Sequence, residues 1–71
     1  AQDLDSSLVE RFSLTERELD IVRLLLKGRS VSFISEDLSI SENTVRFHMK
    51  NIYLKAGVHS KQELIDLFEL G

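Results

Sequence analysis

Residues 41–57, SENTVRFHMKNIYLKAG, constrain the fold of this chain more than any other stretch. Val45, Met49, Ile52 and Ala56 recur at spacings of four, three and four, which at about 100° per residue draws one narrow apolar stripe along a helix. Such a stripe has to be buried. Asn43, Arg46, Phe47 and Lys50 then fall on the opposite side, so two cations, an amide and an aromatic ring face solvent. Ser41 offers an N-cap oxygen and Gly57 a left-handed stop, giving a helix of about four turns. An outer face of this chemistry suits the edges of base pairs. Arginine bridges guanine O6 and N7, lysine reaches those atoms or phosphate, and an apolar ring meets a thymine methyl. Thr44, Asn51 and Lys55 lie to the side, where a helix in a groove skirts phosphate. The plainer alternative is a solvated face on which Phe47 covers a neighbour and Asn43 bonds its own backbone.

The preceding residues supply a partner for this helix. Thr15 and Glu18 form a T-x-x-E capping box, with Leu14 and Leu19 placed as a hydrophobic staple. The helix they start runs through Ile21, Val22, Leu25 and Leu26 and stops at Gly28. Ser30 caps a shorter second helix with Ile34 and Leu38 inward and Val31 at its start. Residues 39–41 make a tight link in which Ile40 drops into the core. Two helices so joined, the second amphipathic with a basic outer face, define a helix-turn-helix. Ser60 and Glu63 repeat the capping box before a fourth helix, whose Leu64, Ile65, Leu67, Phe68 and Leu70 wrap more than one face. That surplus predicts dimer contact for some of Leu64, Leu67 and Phe68, the alternative being that all three belong to the core. Leu4, Leu8, Val9 and Phe12 suggest at most a short helical turn over 5–11. The expected architecture is all-α with four helices, residues 1–12 a linker or N-terminal extension and 13–71 the domain.

Composition excludes several other classes. A 71-residue chain holds one small domain of marginal core stability, about 3 to 5 kcal/mol, too small for a pocketed enzyme. Cysteine is absent, and two histidines without clustered carboxylates do not make a metal site, so neither metal nor cofactor is expected. His48 flanks the apolar stripe and reads as a partly buried, hydrogen-bonded side chain. No apolar run spans a bilayer and the N-terminus lacks signal-peptide features, which points to a soluble, cytoplasmic domain. The start at Ala1 suggests a piece of a longer protein, whose missing part could tether it to a membrane.

The net charge of −3 opposes phosphate binding, but the charge is segregated. Residues 42–61 sum to +3, through Arg46, Lys50, Lys55 and Lys61 against Glu42, while 1–41 and 62–71 each sum to −3. Screening beyond about 8 Å lets a basic stripe act locally.

Leu14, Thr15, Arg17, Glu18, Gly28, Ser30, Ile34, Leu38 and Ile40, followed by Ser41, Thr44, Val45, His48, Asn51, Ile52, Lys55, Gly57, Val58 and Ser60, resemble the signature of the LuxR, NarL and GerE type of bacterial helix-turn-helix domain. The resemblance covers about residues 13–70. It implies the output domain of a transcription regulator, with the third helix in the major groove of duplex DNA and the fourth supporting a homodimer. It further implies RNA polymerase as a partner of the full-length regulator, and no small-molecule ligand in this domain. Ser41, Asn43, Thr44, Arg46, Phe47, Lys50, Asn51 and Lys55 are the expected DNA-contacting residues. Where the family reads Asn-Lys-Glu-Ile-Ala after the Gly-x-Ser turn, Val31, Ser32, Phe33, Ile34 and Ser35 stand instead, so one backbone cation is missing and Phe33 is exposed. Ala56 replaces a usual leucine, and Leu54 occupies an outward position. These departures, with the acid excess, motivate an alternative: a protein-interaction module with weak or no DNA binding.

Overall fold

The protein is described by a computed structural model covering residues 6–70, which form helices and short links with no strand among them. Five helices follow in order: α1 (Ser6–Phe12), α2 (Glu16–Leu26), α3 (Val31–Leu38), α4 (Glu42–Ala56) and α5 (Lys61–Leu70). The third and fourth helices expected from sequence are therefore α4 and α5, and the expected count of four is corrected to five. The addition is α1. Seven residues do not sustain a helix in water, but Leu8 is buried to 4% exposure and Phe12 sets its ring edge-on to Phe68 of α5 at 6.4 Å. Tertiary contact stabilises what spacing alone leaves marginal. Leu4 and the side chain of Leu70 lie outside the described residues.

The expected punctuation is present, with two local changes. At α2 both halves of the capping box form: Glu18 N–H donates to Thr15 Oγ1 at 3.2 Å and Thr15 N–H to Glu18 Oε1 at 3.0 Å. Ser30 caps α3 by accepting from Phe33 N–H at 3.1 Å. The α3–α4 link turns at Ser39, whose φ of 57° is left-handed, and Ile40 N–H donates to Ser35 O at 2.9 Å. A serine there forgoes the freedom of glycine, and the half-buried Ile40 side chain, packed on the core, offsets that strain. Ser41 caps α4 through Thr44 N–H at 3.0 Å, and Gly57 ends it with a φ of 71°. The second change is at α5. Ser60 Oγ accepts from Glu63 N–H as expected, but Glu63 Oε1 accepts from His59 N–H at 2.9 Å, one residue earlier than a capping box requires.

The core is Ile21, Val22, Leu25, Ile34, Val45, Ile52 and Leu64, each at most 1% exposed. It draws on α2 to α5. Helix α4 packs on α3 and α2, and α5 packs on α2, so the longest helix is seated from two directions. Each such side chain contributes about 1.5 to 3 kcal/mol by leaving water.

One polar contact joins the start of α2 to the end of α4. Glu18 is 3% exposed, and its Oε1 accepts from Lys55 Nζ at 2.7 Å as well as from Thr15 N–H. Lys55 also donates to the Ser13 carbonyl at 3.2 Å. Burial pushes the Glu18 carboxyl up, but hydrogen bonds from Lys55 and Thr15, with the Lys55 charge, outweigh it and hold the carboxyl below its ordinary 4.5. A lowered folded-state pKa means that this stabilisation is complete above about pH 4.5 and is lost as pH falls through the folded value. Lys55→Met strands the carboxylate and lowers unfolding free energy at pH 7 by about 1 to 3 kcal/mol, less than for a fully buried pair because the lysine is partly solvated. The difference from wild type narrows in acid, where Glu18 is protonated in both proteins. Denaturant unfolding at neutral and acid pH measures both outcomes.

Candidate nucleic-acid interface

Helix α4 divides as its sequence pattern requires. Val45 and Ile52 are fully buried, Met49 and Ala56 half-buried, and Asn43, Arg46, Phe47 and Lys50 exposed. The polar members of the outer face form an ordered array. Arg46 Nη2 pairs with Glu42 Oε1 at 3.2 Å, and Nη1 donates to Asn43 Oδ1 at 3.5 Å. Spacings of four and three put these groups one turn apart, so the guanidinium is held over the first turn of the helix. Asn43 thus bonds the arginine. Lys50 has no ion pair among the described residues. Phe47 is 61% exposed, with its ring edge-on to His48 at 5.7 Å. His48 is half-buried as expected, but among the described residues its side chain meets the Phe47 ring in place of the expected hydrogen-bond partner.

The other expected contact residues separate into different environments. Ser41 and Thr44 share a hydroxyl–hydroxyl bond of 2.9 Å at the helix cap, and Asn51 is half-buried. Lys55, expected to skirt phosphate, points its ammonium at Glu18 and Ser13 instead, because those acceptors lie at the base of α2. Leu64, expected at a dimer contact, is fully buried in the domain's own core and unavailable to a second copy. Leu67 and Phe68 are half-buried, and Phe68 packs on the core and on Phe12. Of the three, Leu67 has the least prior engagement.

Two features escaped the sequence pattern. Arg29 lies over the Phe33 ring at 4.8 Å, an arrangement that orders an exposed cation at the head of α3. Lys61 Nζ donates to Arg29 O at 3.4 Å, bringing a second cation to the same corner. A cation four residues before a ring in sequence was the available signal for the first. Nothing in sequence signals the second, a contact between residues 32 apart.

A short, tightly turned helix pair that buries one side of its second helix and exposes cations, an amide and a ring on the other is a helix-turn-helix module of the nucleic-acid-binding kind. The comparisons agree. Residues 12–68 match the model of GerE, the bacterial regulatory proteins of the luxR family. The Fimbriae Z protein of Escherichia coli strain K12 is 46% identical over 57 residues, 80% of this chain and 27% of that protein. The nitrate/nitrite response regulator protein NarP of the same strain is 44% identical over 55 residues, 78% of this chain and 26% of the relative. A nitrate/nitrite response regulator protein homolog of Haemophilus influenzae is 41% identical over 56 residues, 79% of this chain and 27% of its length. No solved structure gives a significant match. The chain belongs to the luxR family of bacterial regulatory proteins, a helix-turn-helix class of DNA-binding transcription regulators. It spans about a quarter of the length of these three relatives. No helix of the described residues is long and apolar enough to cross a membrane.

Glu42 is the one acid on the outer part of α4, and it both orients Arg46 and repels phosphate. Glu42→Gln removes the charge while keeping an acceptor, and raises affinity for random duplex about two- to fivefold at low salt, the scale of an exposed pair. Fluorescence anisotropy measures the change, which shrinks as salt is raised.

Proposed function

We propose that this domain binds duplex DNA sequence-specifically as the output module of a bacterial transcription regulator, with α4 in the major groove. The observation that carries this is the outer face of α4: Arg46 oriented by Glu42 and Asn43, Lys50 free, and Phe47 largely exposed on a helix held rigidly by Val45 and Ile52. Arg46 and Lys50 supply base-edge contacts, with Phe47 available to a thymine methyl. Asn43 extends the reading face by one turn. Ser41 and Thr44 at the cap, and Asn51 alongside, bring hydroxyls and an amide to the flanking phosphates. Lys55 serves from behind, by fixing α4 against α2.

One copy offers too few phosphate contacts for tight binding. We infer a homodimer on two half-sites about one helical turn apart, supported by α5 through Leu67 and the outer edge of Phe68. In the full-length regulator, a cytoplasmic setting and contact with RNA polymerase follow from the same reading. A second reading, a protein-interaction module of the same fold, draws support from the exposed apolar side chains Phe33, Phe47 and Leu54.

Arg46→Ala and Lys50→Ala each weaken binding to a selected site by about 1 to 3 kcal/mol. The dependence of log K on log salt loses about 0.9 of slope for each cation that touches phosphate. Anisotropy titrations of both variants over a salt series test this. Binding to selected duplexes that neither substitution changes removes α4 as the reading helix, and a flat titration of wild type at low salt favours the interaction module.

A further inference from the structure

A groove of about 580 Å³ runs beside α4, with Met49, Tyr53, Leu54 and Val58 supplying its apolar lining. Arg46 and Lys50 stand along it, and Gly57 and His59 bring in the turn to α5. The groove adjoins the proposed DNA-reading face and shares Arg46 and Lys50 with it, and three observations mark it as a cleft with a wall of its own. Its volume lies within the range of about 300 to 1,000 Å³ for small-molecule clefts. Leu54 is 72% exposed on its edge, an apolar surface that base edges and phosphates do not match. Burial pushes the Tyr53 hydroxyl above its ordinary 10.0, marking a partly dry wall. The cations in the groove's lining are Arg46, already paired with Glu42 at 3.2 Å, and Lys50, which has no ion pair among the described residues, so Lys50 is the primary anchor for an anion.

We propose that this groove is a binding site for a small amphipathic carboxylate, its alkyl or aryl tail against Met49, Leu54 and Val58 and its anionic head at Lys50 and Arg46. The charge of the rim rejects an amphipathic cation of the same length, and the apolar wall disfavours a bare anion. A bound carboxylate neutralises the cations that α4 uses for DNA, so ligand and duplex compete. Only this competition rests on the DNA-binding reading; the site itself does not.

The chain has one tyrosine and no tryptophan, so Tyr53 emission reports directly on the groove. The probe is sodium decanoate below its micelle concentration at fixed ionic strength, with decylammonium as the charge-reversed control. The expected result is a saturable change in Tyr53 emission with decanoate, at least about tenfold weaker with decylammonium and at least about tenfold weaker in Leu54→Asp. Circular dichroism and thermal melting verify that Leu54→Asp is folded, and Leu54→Gln supplies a neutral second variant with the same direction of effect. A linear, non-saturating response, or equal binding of the two amphiphiles, overturns the site. In anisotropy competition, decanoate raises the apparent Kd for a bound duplex in wild type and does so far less in Leu54→Asp. Saturable decanoate binding without competition overturns the regulatory consequence. Decanoate binding in a protein that binds no duplex overturns the DNA reading and leaves the groove, whereas duplex binding without decanoate binding overturns the groove alone.

Discussion

The carboxylate of Glu18 performs two tasks with one oxygen. It closes the capping box of α2 and receives the Lys55 ammonium from the last turn of α4. In so small a core, apolar contacts fix how closely α4 approaches α2 and α3 but resist sliding along the seam poorly, because apolar attraction is non-directional. A hydrogen-bonded ion pair on a buried carboxylate has direction. It ties the last turn of α4, the helix that carries Arg46 and Lys50, to the first turn of α2.

The outer face of α4 depends on that seating. Arg46 is held at one turn's distance by Glu42 and Asn43, an ordering that under the proposed function lowers the entropy lost on engaging a base edge. Among the described residues Lys50 has no ion pair, and Phe47 is largely exposed, so the cost of freeing them from the domain is small. The acidic remainder of the chain is a counterweight. It opposes indiscriminate attraction to phosphate.

That same strip of α4 adjoins an apolar groove, and the two share Arg46 and Lys50. A helix of this length has a few turns of surface, and the buried stripe uses one side of it. Whatever occupies the groove therefore meets the cations that DNA would use. Proximity of this kind makes competition a geometric consequence and requires no change of conformation.

Local sequence determined the punctuation and the seam. The caps Thr15, Ser30 and Ser41, the stop at Gly57 and the burial of Val45 and Ile52 follow from interactions within four residues, whose geometry the helix itself fixes. The exposure of Asn43, Arg46, Phe47 and Lys50 follows from the same periodicity. Tertiary structure decided the rest. Helix α1 exists because Leu8 and Phe12 find apolar surroundings, and Lys55, at the side of α4, turns its ammonium to Glu18, 37 residues away. Leu64 entered the core and Leu54 did not. Periodicity gives the angle of a side chain about its own helix, whereas its partners depend on how helices distant in sequence are brought together, and that is set by the whole core at once.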